Sequence, residues 1–339
     1  MMNLRSFSET LALVVTALVL AAASLSVAGA VAGEPSQQRS IGYPLGPDTA
    51  VIGAPGRHVT SGEKSMFRIA REHGLGYREL AAANPGLDPW MPEEGRELVL
   101  PTVHVLPDAP REGIVINLAE RRLYYFPEEE GQVLTWPVSI GREGHDTPLG
   151  ETRIVARREN PVWVPPPSVR EKHEDLPAAI APGPANPLGT RALNLGWQHY
   201  VIHGTNLAFT IGERASHGCL RLYNRDVEEL FDLVEEGTPV RVVHQPVRLG
   251  WRRGALYGSF SPEWSALDER GNPVDDAPPE RTGAIEQIIS AAGKRAEELD
   301  WDAIGEALAS PRGSMVRLLP APHERLPEEP FTAEEALYL

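Results

Sequence analysis

The chain has one cysteine, Cys219, among its 339 residues, and this side chain therefore has no partner for an internal disulfide. It closes the run Ser216-His217-Gly218-Cys219, and His203 lies upstream in the same stretch. A thiol attacks a carbonyl carbon as the thiolate, so it needs a base or a local field that lowers its pKa. The coincidence of a cysteine, two histidines and a glycine-bearing turn predicts a reactive nucleophile rather than a buried free thiol.

Both histidines are candidates for the base that accepts the thiol proton, and spacing alone does not decide between them. His217 lies two residues from Cys219, so a turn that aims the backbone at the thiol directs this side chain away. That argument favours His203. Gly218 tolerates strained backbone angles, so the N–H groups around it can converge on one point, which is the arrangement that an oxyanion requires.

One clear amphipathic helix follows the cysteine. Asn224 is its expected N-cap and Gly237 its expected end. Cys219 then lies on or just before the turn that enters this helix, where the positive end of the helix dipole favours a thiolate. The apolar residues of the helix recur at i, i+3, i+4 and i+7: Val227, Leu230, Phe231 and Val234.

Several short strands are expected between residues 111 and 243. Each alternates or runs apolar between charged or glycine turns. This spacing predicts a mainly β fold, a sandwich or a barrel. The proline-rich segment 157–187, which contains Trp163, is expected to form a long loop that walls a cleft. The expected strands are Ile114 to Leu118, Arg121 to Phe126, Gln132 to Ile140, Ile154-Val155, Arg191 to Leu195, Tyr200 to Ile202 and Val240 to Val243.

Residues 57–103 show a different pattern, a small α/β unit of strand, helix, helix and strand. With its Asn84-Pro85-Gly86 turn, this segment resembles a LysM module. The resemblance implies binding of polymers that contain N-acetylglucosamine, which in bacteria means peptidoglycan; the alternative is a structural spacer. The expected elements are His58-Val59, Ser65 to His73, Tyr77 to Ala83 and Leu98 to Leu100.

The N-terminus has the features of an export signal. Residues 1–32 combine Arg5 with an apolar core from Leu11 to Ala23 and small-x-small cleavage candidates that end at Ala30 or Ala32. We expect a cleaved signal peptide rather than a retained membrane anchor, and hence an exported protein without a stable membrane span.

The rest of the sequence is less informative. Residues 33–56 are expected to form a linker, 244–319 a C-terminal subdomain and 320–339 a mobile tail. Within the subdomain we expect a strand at Leu256 to Phe260 and helices over Gly283 to Leu299 and Trp301 to Ala309.

Charge and residue spacing exclude some classes of function. With 32 Lys+Arg against 47 Asp+Glu, the formal charge is −15, which argues against a nucleic-acid partner. No cysteine or histidine cluster has metal-ligand spacing, so neither a metal nor another cofactor is predicted.

The segment from 111 to 243 resembles the L,D-transpeptidase catalytic domain of bacterial cell-wall enzymes. The resemblance rests on four blocks in the same order: Asp146 to Gly150, Asn186 to Gly189, His203 to Asn206 and Ser216 to Arg221. The order of signal, LysM-like module, catalytic domain and tail is similar to the periplasmic branch of Gram-negative bacteria, which implies a periplasmic location.

The resemblance implies a β-rich sandwich with a cleft and a two-step acyl transfer. Cys219 is the implied nucleophile, which attacks the carbonyl between diaminopimelate and the terminal D-alanine of a peptidoglycan stem. His203 is the implied general base, oriented by the backbone carbonyl of Gly204 in place of a triad acid. The backbone N–H groups of His217, Gly218 and Cys219 are the implied oxyanion hole.

Further residues of the matching blocks are expected to contact the substrate. Arg221 is the candidate clamp for a substrate carboxylate, because its forked donors suit one. The alternative for this side chain is a salt bridge to Asp226 or Glu228. Thr205 and Asn206 are the other candidates for substrate binding.

Two questions stay open at this point. Ser216 either holds His217 in place or stabilises the turn alone. The acyl acceptor is another stem's diaminopimelate, giving a 3→3 cross-link, or a lysine at the end of an outer-membrane lipoprotein. Water as acceptor would make the protein a carboxypeptidase or hydrolase, and a non-catalytic wall-binding protein is the alternative from a different class.

Overall fold

The computed structural model describes residues 42–62, 64–128, 131–171, 175–261, 263–264, 276–277 and 281–322. The predicted signal peptide lies outside the described residues, as does the predicted tail from residue 323 onward. None of the helices in the described part of the chain has the length and hydropathy that crossing a bilayer requires.

The described elements follow one another along the chain as strands with interspersed helices. The strands are β1 (Tyr43–Pro44), β2 (Val51–Gly53), β3 (Gly56–Val59), β4 (Glu97–Leu100), β5 (Val103–Val105), β6 (Gly113–Asn117), β7 (Arg122–Phe126), β8 (Gln132–Pro137), β9 (Ile140–Gly141), β10 (Gly150–Glu159), β11 (Arg191–Leu195), β12 (Val201–His203), β13 (Arg214–Ser216), β14 (Leu220–Arg221), β15 (Pro239–Val243), β16 (Val247–Arg252), β17 (Ala255–Phe260), β18 (Glu263–Trp264), β19 (Asp276–Ala277) and β20 (Met315–Leu319). The α-helices are α1 (Met66–Glu72), α2 (Tyr77–Ala83), α3 (Pro167–Arg170), α4 (Asn224–Leu233), α5 (Arg281–Ala292) and α6 (Trp301–Ala309).

The small N-terminal unit has the predicted order of strand, helix, helix and strand. Strand β3 pairs antiparallel with β4, and α1 and α2 lie between them in sequence. Ser65 begins α1, where its side chain accepts a hydrogen bond from the backbone N–H of Arg68. The helices and β4 bury a common apolar core, formed by Met66, Ile69, Ala70, Leu75, Tyr77, Leu80, Leu98 and Leu100.

The region that resembles a catalytic domain is built on one nine-stranded sheet, so the prediction of a mainly β domain is confirmed. Its strand order is β1-β8-β7-β6-β15-β10-β11-β12-β14. Neighbours are antiparallel except for two parallel pairs, β15 with β6 and β12 with β14. Helix α4 packs its apolar stripe against one face of this sheet through Val227, Leu230 and Val234, as the periodicity predicts.

Three elements differ from the sequence predictions. The expected strand from Gln132 to Ile140 breaks after Pro137, and its end forms β9, which pairs with β13 in a separate ladder. Helix α4 ends at Leu233, before Gly237, whose positive φ of 98° belongs to the following turn. Strands β1 and β2 lie within the predicted linker, and they pair with β8 and β5.

The C-terminal region has a three-stranded antiparallel sheet, β16-β17-β20, with its own apolar core. The expected strand at Leu256 to Phe260 is part of β17, and the second expected helix is α6. The first expected helix, over Gly283 to Leu299, is shorter than predicted: α5 ends at Ala292, and a 3₁₀ helix, Gly293–Glu298, follows. Gly293 adopts a positive φ of 56° there, which ends the regular helix.

Candidate active site

His203 ends β12, and Cys219 immediately precedes β14, the parallel neighbour of β12. In the ladder of β12 with β14, Ile202 lies opposite Leu220 and His203 opposite Arg221. Paired residues of neighbouring strands project from the same face, so the side chains of His203 and Arg221 share one face. Cys219 lies just before β14, close enough for the charge of Arg221 to act on its thiol. Ile202 and Leu220 project from the other face, into the core beneath α4.

The His203 ring is held in one orientation by its own turn. The side chain is buried, and its Nδ1 lies 2.6 Å from the backbone oxygen of Gly204, as the family resemblance implies. Because Nδ1 donates to this carbonyl, Nε2 carries the lone pair that can accept a proton. Burial, followed by the charges of Arg221 and Arg158, lowers the pKa of His203 to about 3. The ring is therefore neutral near pH 7.

The thiol of Cys219 is half-buried and lies 3.5 Å from the backbone oxygen of His199, to which it can donate. Burial raises its pKa, and this effect outweighs the backbone N–H of Val201 and the guanidinium of Arg221, which favour the thiolate. The expectation of a resting thiolate stabilised by a helix N-terminus is wrong. Helix α4 begins at Asn224, beyond β14, and burial is the larger effect.

A network of hydrogen bonds fixes the turn that carries the cysteine. The Oγ of Ser216 donates to the carbonyl of Cys219 at 2.5 Å and accepts from the N–H of Gly218 at 3.0 Å. The hydroxyl of Thr147 donates to the carbonyl of Gly218 at 2.9 Å. Ser216 therefore closes the turn itself.

Gly218 is required in this turn for two reasons. Its φ is +100°, which L side chains rarely adopt, and an added Cβ would lie 2.8 Å from the ring of Tyr200. Its N–H is occupied by Ser216, which corrects the expectation that it belongs to the oxyanion hole. The N–H of Cys219, by contrast, meets no acceptor among the described residues.

His217 projects to the surface, away from the face that carries His203. Its Nε2 lies 2.9 Å from Nη2 of Arg142, and its ring centroid lies 4.8 Å from that of His145. This geometry favours His203 as the base, as the spacing argument does.

Thr205 and Asn206 form the turn after His203. The hydroxyl of Thr205 is buried and accepts from the N–H of Leu207, whereas Asn206 is exposed and its side chain donates to the carbonyl of Ala185. The N–H of Thr205 donates to Oδ1 of Asn224 at 2.9 Å. The prediction of Asn224 as N-cap is therefore wrong: Tyr223 holds that position, and Asn224 binds the crossing turn instead.

Arg221 is half-buried beside the two reactive groups. Its Nε is buried and has no hydrogen-bond partner in the described part of the chain. The predicted alternative, a salt bridge to Asp226 or Glu228, is absent among the described residues, since Asp226 pairs with Arg225.

Sequence reasoning missed Arg158, which lies on the same face as His203. It lies opposite Ala192 on β11, and Ala192 lies opposite His203 on β12. Its Nε donates to Oδ1 of Asn194 at 3.0 Å. The register of β10 against β11 contains a bulge after Ile154, so alternation along the sequence alone could not have found this neighbour.

The predicted loop 157–187 is largely irregular, with α3 as its one-turn helix among the described residues. Trp163 and Ile180 form an isolated bridge across it. Buried Asn186 fastens its end by donating to the carbonyl of Pro161 at 2.8 Å. In the described residues, no group of three or more His, Cys, Asp and Glu side chains could hold a metal ion.

The chain is similar in sequence to known proteins. A family model of the L,D-transpeptidase catalytic domain (YkuD) matches residues 111–242. The probable L,D-transpeptidase YcfS of Escherichia coli is 40% identical over 217 residues, which cover 61% of this chain and 68% of that protein. The probable L,D-transpeptidase YbiS of the same organism is 34% identical over 308 residues, which cover 86% of this chain and 97% of that protein.

Proposed function

Because the chain belongs to the YkuD family of L,D-transpeptidases, we propose that it transfers an acyl group from a peptidoglycan stem peptide to an amine, with Cys219 as nucleophile. One observation carries the proposal for the site: a neutral imidazole, fixed by the Gly204 carbonyl, ends the strand that pairs with β14, and the chain's single thiol immediately precedes β14. A thiol near a buried, neutral histidine suits acyl transfer.

The first half-reaction forms a thioester. Nε2 of His203 takes the thiol proton, and the sulfur of Cys219 attacks the carbonyl carbon between diaminopimelate and D-alanine. The backbone N–H of Cys219 donates to the resulting oxyanion. The C–N bond then breaks, and His203 returns the proton to the departing amine of D-alanine.

The second half-reaction releases the acyl group. A neutral acceptor amine attacks the thioester carbonyl, and His203 takes a proton from its nitrogen. The C–S bond breaks, and the same proton restores the thiol of Cys219. The proposed acceptors are diaminopimelate of another stem, giving a 3→3 cross-link, and a lysine of an outer-membrane lipoprotein.

Arg221 is the proposed clamp for the carboxylate of the departing D-alanine. This carboxyl carbon is separated from the attacked carbon by three bonds, which span at most about 4 Å. A guanidinium two residues from the nucleophile and opposite the base is placed to reach it. Its buried, unpaired Nε supports an anionic ligand.

The α/β unit that precedes the catalytic domain is proposed to be a LysM-like module that binds peptidoglycan glycan. Its strand, helix, helix and strand order supports this assignment. With the predicted signal peptide, it also supports a periplasmic site of action, where peptidoglycan lies.

Incubation with purified tetrapeptide muropeptides, followed by mass spectrometry, tests the function. We expect release of D-alanine and cross-linked dimers, and neither product from the Cys219→Ala variant. Trimmed monomers without dimers would identify water as the acceptor. An unchanged substrate, together with an unchanged protein mass after exposure to a carbapenem, would favour a non-catalytic wall-binding protein.

A further inference from the structure

A row of side chains crosses four neighbouring strands at the site. Arg158 on β10 lies opposite Ala192 on β11, which lies opposite His203 on β12, which lies opposite Arg221 on β14. Paired residues in a sheet project from the same face. Two arginines therefore project from the same face as the catalytic histidine, Arg221 on the adjacent strand and Arg158 two strands away on the other side, and Cys219 immediately precedes β14.

Neither arginine has a carboxylate partner among the described residues. Arg158 is half-buried, and its Nε donates a hydrogen bond to Oδ1 of Asn194. Neither of its Nη atoms has a hydrogen-bond partner among the described residues. The chain has 47 Asp+Glu, and arginines elsewhere in it pair with them, as Arg191 does with Glu159. Two arginines without a carboxylate partner on one face of an acidic protein favour an anionic ligand there.

We infer that Arg158 binds the free side-chain carboxylate of diaminopimelate in the donor stem and thereby makes the enzyme selective for unamidated stems. This inference rests on the proposed function, because it identifies a second anchor for the same substrate. Diaminopimelate has two carboxyl groups: one forms the bond that Cys219 attacks, and the other stays free on its side chain.

The distances in the sheet agree with this arrangement. Arg158 lies three strand spacings from Arg221, and Cys219 lies two residues before Arg221, so Arg158 and Cys219 are roughly 16 Å apart. The two carboxyl carbons of diaminopimelate are separated by six bonds, at most about 8 Å. The arginine side chain and one hydrogen bond span the remainder. Arg221, next to His203, stays available for the D-alanine carboxylate, so the two arginines bind opposite ends of the donor.

The charge of Arg158 reaches the catalytic base. It contributes, together with burial and Arg221, to the lowered pKa of His203. A carboxylate bound between these groups would oppose that effect and make the imidazole a stronger base once the donor is in place. Recognition of the donor and activation of the thiol are then coupled.

The test compares two donor tetrapeptides, one with the free diaminopimelate side-chain carboxyl and one with its amide. For the unmodified enzyme, we expect amidation to lower kcat/KM for D-alanine release about 10- to 100-fold, since a charge-assisted hydrogen bond is lost. In Arg158→Gln, the two donors should differ by less than about threefold. Arg158→Lys should discriminate to an intermediate degree, because it keeps the charge without the fork.

Arg153→Gln is the matched control. This substitution removes one positive charge from the same strand, at an exposed side chain that has no hydrogen bond or ion pair among the described residues. The Arg153→Gln enzyme should keep the full discrimination between the two donors. Equal discrimination in Arg158→Gln and the unmodified enzyme would overturn the inference, as would equal turnover of both donors by the unmodified enzyme. If Arg158→Gln does not fold, discrimination between the two donors is compared in Arg158→Lys and the unmodified enzyme.

A binding measurement separates this inference from the proposed function. Calorimetry with Cys219→Ala and with the double variant Cys219→Ala/Arg158→Gln needs no turnover. Preference for the free acid in the first protein and its loss in the second support the role of Arg158, even if the unmodified enzyme releases no D-alanine. An unchanged preference in the double variant would contradict it.

Discussion

At the scale of single residues, the site combines a thiol and an imidazole that are both neutral at rest. Burial raises the pKa of Cys219 and lowers that of His203 to about 3. Both shifts oppose a thiolate–imidazolium pair, because each disfavours the charged form. The base is unprotonated at every pH near neutrality, so it is ready to accept a proton, and the thiolate forms only as the reaction proceeds.

The raised pKa of the thiol predicts a pH dependence that can be measured without substrate. The rate of iodoacetamide alkylation should keep rising with pH through 9 in the native enzyme, because the thiolate reacts and burial delays its formation. Cys219 is the only cysteine, so the protein mass reports on this site alone. In urea, the same thiol should titrate at lower pH, near 8.5. A native midpoint below the urea midpoint would refute the assignment of a protonated resting thiol.

At the scale of secondary structure, the sequence predicts elements better than their ends and partners. The apolar periodicity located α4 because Val227, Leu230 and Val234 all face the core. The cap was missed because Asn224 binds a turn 19 residues away in sequence, and such a tertiary contact leaves no local signature. The sequence predicts Cys219 and His203 as reactive groups, and the family resemblance implies the contact of His203 with the Gly204 carbonyl, whereas Arg158 emerges only from the strand register.

Helix α4 contains a buried carboxylate that should limit stability above neutral pH. Asp226 is fully buried, its Oδ2 has no hydrogen-bond partner in the described structure, and burial raises its pKa to about 6. In the unfolded chain the pKa of Asp226 is about 3.9, lower than in the folded protein. Protonated Asp226 therefore contributes its full stabilisation of the fold below about pH 3.9, and this stabilisation is lost as the pH rises through 6.

Asp226→Asn should therefore stabilise the protein at pH 8 by up to about 3 kcal/mol, with the gain fading toward pH 4. Urea unfolding at the two pH values measures it. Asp232→Asn, the same change at an exposed position of α4, should change stability by less than about 0.5 kcal/mol. An equal gain from Asp226→Asn at both pH values would show that the buried charge is not the cause.

The turn after His203 crosses the loop around Gly189 so closely that side chains are excluded. A Cβ added to Gly204 would lie 2.1 Å from Oδ1 of Asn224, and one added to Gly189 would lie 2.6 Å from the N–H nitrogen of Thr205. This crossing fixes the carbonyl that orients His203. Packing at this point, and not only conformational freedom, requires glycine.

Two glycine-to-alanine variants should change stability in opposite directions. Gly204→Ala should destabilise by about 1–3 kcal/mol through overpacking and lower the rate of D-alanine release. Gly305→Ala, in helix α6 with nothing within 4 Å of the added Cβ, should stabilise by roughly 0.5–1 kcal/mol. Thermal unfolding of both proteins checks this, and a stable, fully active Gly204→Ala would show that the crossing can relax.

At the scale of the whole molecule, the N-terminal α/β unit contacts the catalytic domain six residues before the nucleophile. Arg78 of α2 pairs with Glu213, which immediately precedes β13, at 2.5 Å, and both side chains are less than 15% exposed. Gly76 at the start of α2 and Gly212 approach so closely that a Cβ on Gly212 would lie 2.9 Å from the Cα of Gly76. Composition marked a boundary between these units, but gave no sign of this contact, because pairing across 135 residues depends on the fold.

Loss of this buried ion pair should affect both stability and the site. Arg78→Met removes the ion-pair partner of buried Glu213, a change that typically costs about 3–5 kcal/mol. The charge of Arg121 still acts on Glu213, so we expect a loss toward the lower end of this range. Arg57→Met breaks a pair with Glu97 that is 72% and 54% exposed, and should cost at most about 1 kcal/mol. Burial already raises the pKa of Glu213 against the effect of Arg78, so the penalty in Arg78→Met should be smaller at pH 4, where Glu213 can take up a proton.

Urea unfolding at pH 4 and 8 measures the difference, and the rate of carbapenem acylation of Cys219 reports whether the turn after Glu213 is displaced. Similar losses of stability in Arg78→Met and Arg57→Met would mean that the contact between the α/β unit and the catalytic domain adjusts without a loss of free energy. The turn that carries the nucleophile would then be independent of the α/β unit.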